Sequence, residues 1–427
     1  MPSVYTRDSI VEVWPFSRQR DGDDVIIGRT DIGVFVAVPP EAVEVLDYLA
    51  QGKNLGEAAD LHQQKYGTVP DLNDFLQLLE SSGLIRTNHT AGSRGPAEKH
   101  FQAQRYHFQS ISESLAQRIF NPTVITVCCL LVAAAIGLMV YIPALVPRPS
   151  EMYFTEHRTL TILFVFLFAY VSVVTHEMAH LVAARARGVS SRIGFGYRLW
   201  ILVAEADLTG LWSIPRRQRY LPLFAGSLHD AVMASLCVFV LFAQHENWLA
   251  FPDFGVRLLR LSLLILMARV VWQCLVFVRT DYYYVISTFL NCRNLLTDTE
   301  NFLRNQLARM IPWIRLVDQS DVLPAERRML FPFAILWLAG RIAALAFFVT
   351  IVIPVLASYA ANFVHVLKVG YSVDPYNFID TVMVSITGAV PLTIGISLWI
   401  ASLIRYAKHK HENPHPVEIP ASSERTH

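Results

Sequence analysis

Charge is scarce in this chain. Of its 427 residues only 17% are Asp, Glu, Lys or Arg, and the two signs nearly cancel to a formal charge of +1. No basic stripe is left over to meet phosphates, which excludes a nucleic-acid partner. Cysteine is sparse too, with five residues in all. Cys128, Cys129, Cys237 and Cys274 lie in apolar runs, Cys292 stands alone in a polar segment, and no CxxC pair occurs. Neither a disulfide framework nor a zinc ribbon is encoded by that pattern. The start, Met1-Pro2-Ser3-Val4-Tyr5, lacks a basic stretch leading into an apolar core, so no signal peptide is expected and the first domain should stay in the cytoplasm. Internal repeats and low-complexity tracts are missing as well.

Apolar residues are what the chain has in quantity: 53% of the sequence and a mean hydropathy of +0.37. Residues 1 to about 118 read as an ordinary soluble sequence, whereas the remainder falls into long apolar runs. A bilayer requires about 20 residues per helical span. Six such spans are expected, at about 122–146, 159–184, 220–244, 257–280, 330–357 and 378–404. Arginine and lysine crowd the segments after the second and fourth spans (Arg185, Arg187, Arg216, Arg217; Arg293, Arg304, Arg327, Arg328) and the tail (Arg405, Lys408, Lys410). An even number of spans with both termini in the cytoplasm satisfies these biases.

The N-terminal residues form a unit of their own. Val25-Ile26-Ile27 and Val34 to Val38 read as the strands of a hairpin, and Pro39-Pro40-Glu41 opens a helix ended near Gly52. Leu55 to Tyr66 gives a second helix stopped by Gly67, and Asp71 is placed to cap a third that ends before Gly83. The expected fold class is therefore an all-α polytopic membrane protein with a small α+β, winged-helix-like N-terminal domain. The expected division is a domain at 1–90, a linker at 91–121 with an interfacial helix around Phe108 to Phe120, a six-helix membrane domain at 122–404 and a basic tail at 405–427.

Chemistry is concentrated in the second span, at His176-Glu177-Met178-Ala179-His180. Two histidines four apart project from one helix face, and the intervening glutamate can reach a water shared with them. That pattern suits zinc: two imidazole ligands, a carboxylate base, and room for a third protein ligand. The plain alternative is a pair of solvated histidines. It is weakened by position, since a carboxylate at the centre of a membrane helix costs roughly 2.5–3.5 kcal/mol on insertion scales. The third ligand is assigned to Asp281, which closes the fourth span in Arg279-Thr280-Asp281-Tyr282; His229 and Asp230 are the reserve candidates. Pairing of Asp281 with Arg279 at the interface is the competing explanation. By the expected topology the second and fourth spans both run from outside to inside, which puts His176, His180 and Asp281 in the cytoplasmic half of the membrane.

These motifs resemble the site-2 protease family of intramembrane metalloproteases, in which HExxH in one membrane helix meets an Asp from a later one. Ile193-Gly194-Phe195-Gly196 resembles the family's strand-forming, membrane-embedded segment, here at 190–215. Glu205 to Trp212, Arg216 to Arg219, Ala225-Gly226 and Arg279 to Tyr283 are most similar to the peptide zinc metalloprotease branch found near ribosomal-peptide biosynthesis genes. Leu275-Val276 stands where that branch has Asn-Pro, Tyr282 replaces a glycine, and Ser227 stands where proline is usual. The resemblance implies a zinc enzyme of the bacterial cell membrane with Glu177 as general base, Gly194, Phe195 and Gly196 touching substrate, and a ribosomally made precursor peptide or a single-span membrane protein as substrate. Val13 to Thr87 is similar to PqqD-like domains, which recognise leader segments of such peptides by strand addition. Two rivals stand against the protease. A di-iron oxygenase built on HxxxH lacks the further histidine boxes it needs, because His157, His229, His245 and His365 are scattered. A catalytically degenerate peptide-binding protein or exporter component has no need for Glu177.

Overall fold

The computed structural model describes residues 5–68, 72–87, 111–148, 158–198, 201–292, 294–311, 314–320 and 322–412. Near the N-terminus, strands β2 (Ser17–Asp21), β3 (Asp24–Arg29) and β4 (Val34–Val38) form an antiparallel meander. The expected hairpin is the β3–β4 pair, with Ile26 opposite Ala37. Three helices follow: α1 (Pro40–Ala50), α2 (Leu55–Tyr66) and α3 (Leu72–Ser81). Asp71, the expected cap of α3, lies outside the described residues. A second, two-stranded sheet pairs β1 (Val11–Val13) with β5 (Ile85–Thr87).

Local chemistry explains these helices. Asn54 and Glu57 cap α2 reciprocally, each side chain accepting the other's backbone N–H at 2.8 and 3.1 Å, and Gly67 ends the helix at φ 74°. Apolar residues at helical spacing, Leu46, Leu49, Leu76 and Leu79, then meet one face of the meander and pack with Ile27 and with Leu84 of the turn after α3, all of them buried. Each such side chain stabilises the fold by roughly 1.5–3 kcal/mol relative to exposure.

Beyond the N-terminal elements the chain is mostly helical. A short α4 (Glu113–Ile119) falls where an interfacial helix is expected, and α5 (Pro122–Tyr141) follows. Then come α6 (Arg158–Arg185), an antiparallel hairpin of β6 (Arg192–Arg198) and β7 (Ile201–Asp207), a 3-10 turn at Thr209–Ser213, and α7 (Arg216–His245). The rest comprises α8 (Asp253–Gln273), α9 (Asp281–Leu290), α10 (Leu295–Ala308) and α11 (Pro324–Phe347). A π-helical stretch at Phe348–Val352 leads from α11 into α12 (Ile353–Val369), and α13 (Pro375–Glu412) closes the described chain.

Among the described residues, four helices are long and apolar enough to cross a membrane: Glu113–Tyr141, Thr159–Arg185, Arg216–His245 and Glu326–Thr350. Leu130, Leu167 and Leu345 on three of them are more than 60% exposed, as lipid-facing side chains should be. The expected spans at 257–280 and 378–404 fall on α8 and α13, which are not among the four. Helix α8 carries Asp253, Arg257, Arg260 and Arg269. Helix α13 runs eight residues past its expected end, while residues 413–427 of the tail, with His415, lie outside the described residues.

One expectation needs correcting. Asp281 does not close the fourth span. Helix α8 ends at Gln273, a 3-10 turn occupies Val276–Val278, and Asp281 is the first residue of α9. Arg279 adopts left-handed backbone (φ 55°) and Thr280 is extended, so the chain breaks and restarts immediately before the aspartate.

Candidate active site

Helix α6 brings His176, Glu177 and His180 to its buried side; their exposures are 3%, 9% and 2%. Helix α7 packs along that side and meets both histidines with three positions, Pro222, Gly226 and Asp230, spaced four apart. The Pro222 carbonyl accepts from His180 Nδ1 at 2.7 Å, and the Asp230 carboxylate accepts from His176 Nδ1 at 2.9 Å. A carbonyl can only accept, so His180 carries a proton on Nδ1, and in the neutral ring Nε2 is the nitrogen with the lone pair. The Asp230 carboxylate fixes the same tautomer in His176. Gly226 lies between these two tethers. A Cβ there would stand 2.3 Å from His180 Nε2 and 2.4 Å from His176 Nε2, so only glycine leaves the space in front of both nitrogens open.

Asp281 completes the cluster from the start of α9. Its Oδ2 is 3.2 Å from His176 Nε2 and 3.2 Å from His180 Nε2, and the two nitrogens are themselves 3.2 Å apart. This is the group of three among the described residues whose ligand atoms lie close enough to hold one metal ion. Gln273, the last residue of α8, fixes the aspartate: its Oε1 accepts the Asp281 N–H at 3.0 Å, and its carbonyl accepts the Thr280 hydroxyl at 2.7 Å.

The donor set fits zinc. Tetrahedral ligands about 2.0–2.1 Å from a common centre stand about 3.3 Å from one another, close to the spacing here. Two imidazole lone pairs and a carboxylate oxygen converging at that distance repel one another without a cation between them. Beside the cluster, Arg269 donates through Nε to Asp230 at 3.0 Å and through Nη1 to Ser172 at 2.9 Å.

Glu177 is turned toward the hairpin. Its Oε2 accepts the Ala206 N–H of β7 at 2.7 Å. Gly194, Phe195 and Gly196 lie on β6, paired with Glu205, Ala204 and Val203, and thus one strand removed from Glu177. At Gly194 the nearest atom to an added Cβ, the Glu205 carbonyl oxygen, would be 3.8 Å away, so no close approach requires glycine there.

Of the reserve ligands, Asp230 serves His176 from behind and His229 contacts Asp230 at 3.3 Å; neither joins the metal-capable trio. Sequence reasoning missed Arg269 and Gln273. An arginine inside an expected apolar span was the available signal for the first; the second had none.

A mostly helical protein with membrane-capable helices and a buried His–His–Asp cluster beside a glutamate belongs, as a class, with metal-dependent membrane hydrolases. Residues 163–426, more than half of the chain, match the sequence model of Peptidase family M50, and the chain belongs to that family, the site-2 proteases. Membership implies intramembrane metalloprotease activity, typically zinc-dependent, in a multi-pass membrane protein. Neither a curated protein nor a solved structure matches the chain.

Proposed function

We propose that His176, His180 and Asp281 hold a zinc ion and that Glu177 is the general base in hydrolysis of a membrane-associated or ribosomally made precursor peptide. The observation that carries this reading is the equal 3.2 Å spacing of three ligand atoms whose histidines are both tethered through Nδ1. When bound, zinc supplies Lewis-acid charge that activates water at neutral pH and stabilises negative charge developing on a peptide carbonyl. The chain's own residues do the rest. Glu177 Oε2 is held by the Ala206 N–H, which leaves Oε1 to take a proton from water and return it to the departing amine.

The substrate must be unwound before it can be cut, because a helix's carbonyls are already hydrogen-bonded within it. The hairpin at residues 193–212 is the clamp in this reading. Ala206 turns its N–H away from β6, and alternation along an antiparallel strand turns Ala204 to the same edge. An extended peptide added along that edge of β7 lies beside Glu177. Gly194, Phe195 and Gly196, expected to touch substrate, pair with the other edge of β7, so in this reading they back the strand that receives the peptide instead of touching it.

The same reading assigns residues 1–90 to a PqqD-like, winged-helix-like domain that receives the peptide's leader as an added strand beside α3. It also makes α8 and α13 the spans that complete six, with both termini in the cytoplasm of a bacterial cell. The first test is metal content of the detergent-purified protein, wild type beside His180→Ala and Asp281→Ala. About one zinc per chain, lost in both variants, is the expected result. A wild type that takes up no metal when zinc is supplied sinks the reading.

A further inference from the structure

The N-terminal meander has two faces, and both are covered. Val25 and Ile27 point into the helical core with α1 to α3. Ile26 points the other way, yet it is 4% exposed. What lies against β2, β3 and β4 on that side is the Thr209–Ser213 turn, which directly follows β7. The contact is closed by a buried ion pair: Arg219 Nη1 of α7 donates to Asp21 Oδ2 at the end of β2 at 2.9 Å, with both side chains 3% exposed. Arg219 also donates through Nε to the Ile214 carbonyl at 3.0 Å and stacks on the Trp212 ring at 4.7 Å. One guanidinium thus clasps the N-terminal sheet, the turn and the start of α7.

From the turn, hydrogen bonds lead to Glu177. The Thr209 N–H and hydroxyl both donate to Asp207 Oδ1, at 3.2 and 2.6 Å. Arg192 of β6 donates to Asp207 Oδ2 at 3.1 Å. The neighbouring residue, Ala206, supplies the N–H that holds Glu177. On the other side, Arg219, Gly226 and Asp230 are all buried positions of one helix.

We infer that Asp21 and Arg219 are positioning residues for the peptidase reaction: docking of the N-terminal sheet through this pair holds the turn and β7 in the register that orients Glu177. The inference rests on the assignment of Glu177 above. It makes the N-terminal domain a working part of the peptidase, so that a peptide received there acts on the hairpin that aligns the base. A contiguous network of two-ended contacts is the physical means.

The test is hydrogen–deuterium exchange on the full chain in detergent, with zinc content measured in parallel. Asp21→Ala removes the acceptor from the outer face of the sheet and leaves the inner-face core untouched. Arg18→Ala removes the exposed Arg18–Asp47 pair on the same strand but the opposite face, and serves as the control. Asp21→Ala should raise amide exchange across residues 203–213 by about tenfold or more, with zinc retained and α1 still protected. Asp21→Glu, which restores a carboxylate, should recover most of the protection. Exchange in 203–213 unchanged in Asp21→Ala overturns the proposal, and so does an equal rise in Arg18→Ala. Should Asp21→Ala unfold the N-terminal domain, so that α1 loses protection, a hairpin that stays protected overturns it and a deprotected hairpin supports it. Loss of zinc from the wild type would fail the metal assignment alone and leave the exchange comparison intact.

Discussion

Replacing Gly226 with alanine puts the geometry of the metal centre under direct strain. The new Cβ would stand 2.3 Å from His180 Nε2, 2.4 Å from His176 Nε2 and 2.6 Å from His176 Cε1. Relief to ordinary contact requires the imidazoles to retreat by about 1 Å or more. They cannot do so freely. His180 is tied to Pro222 at 2.7 Å and His176 to Asp230 at 2.9 Å, and both partners are on the helix that carries the new methyl. A retreat of that size takes both hydrogen bonds beyond bonding distance, and at roughly 1–1.5 kcal/mol each the loss is about 2–3 kcal/mol. That loss falls on the folded protein, and helix propensity, which favours alanine in α7 by about 1 kcal/mol, offsets part of it, so the metal-free protein should stay folded. Zinc binding weakens because the imidazoles are freed from the tethers that aim them, an effect of about 10- to 100-fold before any obstruction of the ion itself is counted. Zinc titration against a competing chelator, with thermal unfolding in zinc and in chelator, separates the two effects. The expected result is a folded Gly226→Ala protein that binds zinc more weakly by that factor and whose melting temperature rises less with zinc than the wild type's. Wild-type zinc affinity in that variant would refute the placement of Gly226 in front of the two nitrogens.

Other substitutions probe the residues around the metal centre and the N-terminal domain. Glu177→Gln should keep zinc and lose peptide cleavage by about 10²–10⁴-fold, the usual contribution of a general base; cleavage within tenfold of wild type removes Glu177 from that role. Asp230→Ala should weaken zinc by about 10- to 100-fold without removing a ligand, because it frees the His176 ring and strands Arg269; unaltered affinity would show that His176 is held by α6 alone. Asn54→Ala opens the capping box of α2 and should destabilise the N-terminal domain by about 1 kcal/mol in chemical denaturation, with zinc content unchanged. No change in the denaturation midpoint would mean that packing against Leu55 and Ala58 holds the helix start.

Local features are legible in the order of the residues. Four-residue spacing put His176 and His180 on one helix face, and no alternative register of an α-helix could separate them. Glycines and a turn set the ends of α1 and α2, and strand-forming runs gave the β3–β4 hairpin, because each depends on a few neighbouring residues. Asp281 was reachable because a carboxylate beside a long apolar run calls for a partner. Its place at the start of α9 was not, since that depends on the left-handed turn at Arg279. Long-range packing fixed the remainder. Asp230 looks like a ligand in sequence and becomes the anchor of His176, 54 positions away. Gly226 is one glycine among 20 until α7 brings it against two imidazoles. Asp21 and Arg219 meet across 198 positions. Contacts of that range are fixed by which faces pack together. Periodicity shows that a face exists, and only packing settles what it meets.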